Sequence, residues 1–117
     1  MQVVSRELGK TLVVEVVGRA DHAGAPQLET ALAGAMEAMS GQAKPLLLDF
    51  SGVDYISSVG LRVLMLAARK VAAARGKIAI TGLQPLVREV FEISRFHMVV
   101  PVYGTLEEAR SVLEAAS

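Results

Sequence analysis

Two adjacent serines, Ser57 and Ser58, are the residues of this chain best placed by type and spacing to do chemistry. They follow an apolar run, Leu46-Leu47-Leu48, and a polar stretch holding Asp49, Gly52 and Asp54. Leu61, Leu64, Met65 and Ala68 come after them at helical spacing. An uninterrupted apolar run suits a strand buried on both faces, and glycine and aspartate supply turn chemistry behind it. Ser57 or Ser58 therefore falls where a helix N-cap belongs, beside amides without partners and the positive end of the helix dipole. A hydroxyl there can cap the helix or carry a phosphate, which would find free N–H donors waiting. Residue chemistry alone favours the cap.

Other candidates are weaker. Arg62 lies one helical turn after Ser58, where it could screen a new phosphate, although a solvated surface charge is the commoner fate of such a residue. Asp21 is either a turn residue that bonds its own backbone or part of a surface shared with Ser58. His22 and His97 lack the partner spacing of metal ligands. A serine hydrolase would need glycine where Ile56 stands, and no aspartate follows Ser58. Asp49 at a strand end looks like a phosphoacceptor of the receiver type, but the earlier strands end in Leu8-Gly9 and Val17-Gly18 without the acidic pair that holds magnesium. No catalytic residue is expected.

The elements that must position the serines can be traced along the chain. Two β-branched runs, 3–8 and 11–17, flank Gly9-Lys10 as a hairpin, and a loop follows over 18–24. Pro26 opens a helix reaching Met39, with Leu28, Leu32, Ala35, Met36 and Met39 inward and Gly41 as its stop. The strand over 46–49 leads through the serine turn into a helix over 58–75, whose last turn carries Arg75 before a left-handed cap at Gly76. Residues 77–81 read as a buried strand and Gln84-Pro85 as the start of a third helix with Leu86, Val87, Val90 and Phe91 inward. A short strand over 97–102 comes next. Thr105-Leu106-Glu107-Glu108 has the capping-box pattern, so a last helix runs through Leu113.

The order ββαβαβαβα implies an α/β sandwich: one open mixed sheet with helices packed against it and right-handed crossovers between parallel strands. Partners of such a sheet gather beyond the carboxyl ends of its parallel strands. The serine turn lies there, and Asp21 joins it if the second strand runs parallel to 46–49.

The run Asp49-Phe50-Ser51-Gly52-Val53-Asp54-Tyr55-Ile56-Ser57-Ser58-Val59-Gly60-Leu61-Arg62-Val63-Leu64 resembles the signature of the STAS domain family, in its anti-sigma factor antagonist type. Gly18-Arg19-Ala20-Asp21-His22 matches that family's early glycine-to-aspartate turn, and Gly82 with 85–91 suits its later strand-to-helix step. The resemblance implies a bacterial, non-enzymatic regulator of transcription that binds an anti-sigma factor serine kinase and is inactivated by phosphorylation at Ser58. Asp21, Ser57, Ser58, Val59, Gly60 and Arg62 are the partner-binding residues it implies. No metal or cofactor is implied for the chain itself; ATP and magnesium would belong to the kinase. Members of this switching type often carry Asp-Ser-Ser or Asp-Ser-Thr before the glycine, whereas Ser57-Ser58-Val59 stands here. The alternative is a non-phosphorylated scaffold of the same fold, serving a transport or sensory assembly or binding a small ligand.

Composition narrows the company the chain keeps. With 117 residues it is expected to form one domain over 1–117, without repeats or linkers. Twelve basic and twelve acidic residues cancel, and two tyrosines and three phenylalanines offer few stacking platforms, so direct nucleic-acid binding is not expected. Without cysteine there is no disulfide or thiolate site. No signal peptide or membrane span is legible, so the expectation is a cytoplasmic protein without membrane insertion. Oligomeric state is open.

Overall fold

The computed structural model describes residues 1–39 and 44–115. Strands β1 (Gln2–Leu8) and β2 (Thr11–Ala20) form an antiparallel hairpin, followed by α1 (Ala25–Met39), β3 (Leu46–Ile56) and α2 (Ser58–Ala73). Then come β4 (Ile78–Thr81), α3 (Pro85–Ile93), a 3-10 turn at Phe96–Met98, β5 (Val102–Tyr103) and α4 (Leu106–Ala115). The sheet order is β1-β2-β3-β4-β5, with every pair after the first parallel. This is the expected mixed α/β sheet. Because each crossover steps to the next strand in the same direction, α1, α2 and α3 gather on one face and only α4 covers the other.

Strand sequences show why both faces bury. Side chains alternate across a strand, so Leu12, Val14, Val16, Leu46 and Leu48 join the core under α1, α2 and α3, while Val13, Leu47 and Ala79 meet Ala109 and Leu113 of α4. Helix α1 contributes Leu28, Leu32 and Ala35, as its spacing predicts, with Met36 at the margin. The proposed stop at Gly41 and the inward side chain of Met39 lie outside the described residues.

Several expectations need correction. Strand β2 continues through Ala20 and β3 through Ile56, so the loop ahead of α1 is only 21–24 and the polar stretch after Asp49 is strand. Two register shifts, between Glu15 and Val17 and between Gly18 and Arg19, absorb the extra residues of β3 as bulges. Asp49 Oδ1 accepts a bond from Ser51 N–H at 3.0 Å, holding the first bulge from within. Helix α2 stops at Ala73, and it is Arg75, not Gly76, that takes the left-handed backbone at φ 58°. Leu86 is exposed, because a helix as short as α3 turns only Val87 and Phe91 fully inward. The strand expected over 97–102 is a 3-10 turn followed by two strand residues. Phe96 and Val100 both reach the core, where the Phe96 and Phe91 rings pack edge-on with centroids 5.1 Å apart, but Met98, which a strand would turn to the same face, is exposed in the 3-10 turn.

Candidate functional site

The parallel pairing of β2 with β3 sets Arg19 opposite Tyr55 and Ala20 opposite Ile56, so both strands leave the sheet side by side at its carboxyl end. Ser57 N–H donates to the Ala20 carbonyl at 3.0 Å, and Ser57 Oγ donates to the same oxygen at 3.2 Å. That hydroxyl also accepts Gly60 N–H at 3.3 Å, with Ser57 in extended backbone as the N-cap of α2. Ser57 is thereby committed to structure, using both its donor and an acceptor position.

Ser58 differs from its neighbour. It is the first residue of α2, it is exposed, and its hydroxyl makes no hydrogen bond among the described residues. Leu61 N–H reaches the Ser57 carbonyl at 2.9 Å and Gly60 N–H reaches the cap, which leaves the Ser58 and Val59 amides as donors at the positive end of the helix. No acidic side chain occupies this first turn. Val59 is 37% exposed and Leu66 is 41% exposed. Exposed Arg62 lies between them on the same stripe of α2, three residues from one and four from the other. Of the neighbours Met65 and Leu66, Leu66 faces solvent and Met65 packs partly on the core.

Gly60 is buried and positions the rim from below. A Cβ there would come within 2.5 Å of the Ala20 carbonyl oxygen and 3.0 Å of Ile56 Cγ1, so only glycine lets α2 start this close to β2. Asp21 holds the neighbouring turn. Its Oδ1 accepts Gly24 N–H at 2.8 Å and its carbonyl accepts Ala25 N–H at 2.8 Å, feeding the chain into α1. The Gly24 bond, with Arg19 beside it, holds the Asp21 carboxyl below its ordinary pKa. No bond joins Asp21 to Ser58 among the described residues, so the turn role is the one visible.

One constellation escaped sequence reading. The Arg19 guanidinium lies 4.3 Å from the centre of the Tyr55 ring, and its Nε is 3.4 Å from Asp21 Oδ2. A cation thus stacks on an aromatic face at the edge of the rim. The signal was register: once β2 and β3 are paired in parallel, Arg19 falls opposite Tyr55. His22 and His97 are exposed, and no group of three potential ligands gathers among the described residues. No helix there is long and apolar enough to cross a membrane.

A family model described as the Mlab, STAS domain matches residues 3–101. A protein of Bordetella bronchiseptica, BtrV, provisionally named an anti-sigma factor antagonist, is 35% identical over 116 residues, covering 99% of this chain and 97% of its own. The crystal structure of an anti-sigma factor antagonist from Mycobacterium paratuberculosis superposes with a TM-score of 0.83 at 28% identity, covering 97% of this chain and 93% of that one. A STAS domain protein of Planctomyces limnophilus shares the fold at a TM-score of 0.84 and 20% identity, over 98% of both chains. The match of family model to strands, serine turn and α2 alike places this chain in the STAS domain family, with anti-sigma factor antagonists among its relatives.

Proposed function

We propose that this protein is an anti-sigma factor antagonist that occupies an anti-sigma factor serine kinase through the rim around Ser58 and is switched off by phosphorylation of that residue. The observation that carries the reading is the division of labour between the two serines: Ser57 is bonded on both sides, while Ser58 is exposed with an uncommitted hydroxyl. A kinase needs a hydroxyl it can reach. Val59, Arg62 and Leu66 supply an adjoining stripe of mixed apolar and cationic character for the kinase surface, and Asp21 with Arg19 and Tyr55 forms its opposite margin. Family membership and the relatives' names support the partner class.

In this reading the unmodified protein sequesters the kinase and the sigma factor goes free. Transfer of the γ-phosphoryl group of ATP to Ser58 Oγ, with ADP leaving and the hydroxyl proton passing to the kinase, then adds about −1.5 to −2 charges in the middle of the interface. Repulsion and desolvation there weaken the complex, each ~1.4 kcal/mol being tenfold in affinity. The chain catalyses nothing itself, and nucleotide and magnesium belong to the kinase.

Incubation with the partner kinase and ATP, followed by mass spectrometry, tests the acceptor. Phosphate on Ser58, absent in Ser58→Ala, is expected. Tight kinase capture by Ser58→Ala and capture at least tenfold weaker by Ser58→Asp should accompany it. Phosphate on neither serine would favour the scaffold reading instead.

A further inference from the structure

Helices α1 and α2 leave a groove of about 260 Å³ between them. Small residues make the space, since Ala33 of α1 and Ala67 of α2 both line it. Buried Leu32, Val63 and Ala67 form an apolar floor, with partly buried Met36 beside them. Exposed Ala33 and Leu66 stand at its lips. The groove lies below the roughly 300–1,000 Å³ of small-molecule pockets, and its only polar side chains, Glu29 and Lys70, are exposed at the lips. An apolar floor under charged lips suits a large side chain presented by another protein, the kind of anchor that dominates interface energetics.

Continuity and charge name the occupant. Leu66 belongs to the same stripe of α2 as Val59 and Arg62, so the groove runs on from the Ser58 rim. The charged residues of α1 are Glu29 and Glu37, all acidic, whereas those of α2 are Arg62, Arg69 and Lys70, all basic. Glu29 and Lys70 line the groove from opposite helices, and neither makes an ion pair among the described residues. A protein segment with an apolar side chain between an acid and a base answers both lips at once, which a lipid tail does not. Given a kinase bound at the Ser58 rim, we propose that its grip extends into this groove. One large apolar side chain of the kinase rests on Leu32, Met36, Val63 and Ala67, flanked by a kinase acid at Lys70 and a kinase base at Glu29. The groove supplies affinity and partner choice, while Ser58 supplies the switch.

Titration of the partner kinase with Ser58→Ala, without ATP, reads the groove apart from phosphorylation. Adding Ala33→Trp, which fills the groove from an exposed position, should weaken capture at least tenfold, whereas Leu86→Trp on α3, outside the groove, should leave it unchanged. Glu29→Lys and Lys70→Glu should each slow association at low salt, with the difference shrinking as salt rises. Should Ala33→Trp fail to fold by circular dichroism, these two charge reversals on exposed residues decide. Capture weakened by Ser58→Asp yet untouched by the groove variants would overturn the groove and leave the serine reading standing; no capture by Ser58→Ala would overturn both. Self-association of the unaltered chain in sedimentation, abolished by Ala33→Trp, would assign the groove to a second copy and likewise overturn the proposal.

Discussion

Helices α1 and α2 begin at the carboxyl ends of adjacent parallel strands, and their mouths are built alike. In each, a side-chain oxygen accepts the amide three residues on: Asp21 from Gly24 at 2.8 Å, Ser57 from Gly60 at 3.3 Å. In each, that third residue is a glycine pressed on β2, since a Cβ on Gly24 would lie 2.2 Å from the Arg19 carbonyl oxygen and one on Gly60 2.5 Å from that of Ala20. The two mouths differ in the residues next to the cap. Asp21 is succeeded by His22 and Ala23, Ser57 by Ser58 and Val59. The bonds that hold the start of α2 run through Ser57 and not Ser58, so the phosphorylation proposed at Ser58 would leave them in place.

The comparison breaks most severely where the helix loses its seat. Leu64 is 1% exposed in the main core, and Leu64→Ala should lower stability by about 2–5 kcal/mol as a cavity substitution, read by chemical denaturation. Next come the glycines. Gly24→Ala and Gly60→Ala each push a methyl group into backbone carbonyl oxygen, and a cost of roughly 1–3 kcal/mol is expected at both mouths. Equal losses would sharpen the likeness; tolerance at one mouth alone would break it.

The two serines separate on a smaller scale. Ser57→Ala removes the cap of α2 and should cost ~1 kcal/mol. Ser58→Ala touches no bond and should stay within about 0.5 kcal/mol of the unaltered chain. A cost at Ser58 as large as that at Ser57 would show its hydroxyl to be structural and weaken its claim as an acceptor.

This pairing of mouths was only half legible in the sequence. Apolar runs and helical spacing located β3 and α2, and turn chemistry placed a cap at Ser57 or Ser58. Nothing local could choose between them, because the choice depends on the Ala20 carbonyl, 37 residues away, which claims Ser57. The same long-range pairing carries β3 past Gly52 and Asp54 to Ile56, where composition reads as turn. Pairing with β2 and two bulges overrides that local preference. The Arg19–Tyr55 stack was hidden for the same reason. Near β5 the failure was one of period, since Met98, which a strand would bury beside Phe96 and Val100, is turned out to solvent by a 3-10 turn.

The smallest expected effect distinguishes the mouths by charge. Asp21 holds the turn into α1 with a carboxylate whose pKa is lowered, first by the Gly24 amide and then by Arg19. A depressed folded-state pKa means that the stabilisation is complete above the ordinary carboxylate value and is lost as pH falls through that value and then through the folded one. Ser57 has no proton to gain in this range. Amide chemical shifts followed from about pH 6 down to about pH 3 should therefore move at Gly24, as its acceptor is protonated, before they move at Gly60. Asp21→Asn should remove that early step at Gly24. Glu114 is also held low, by Thr11 first and Arg110 after it, but it titrates at the other end of the sheet and should report on Thr11. If Gly24 and Gly60 shift together in Asp21→Asn as in the unaltered chain, acid is loosening the whole domain, and the two mouths do not differ in the way their chemistry requires.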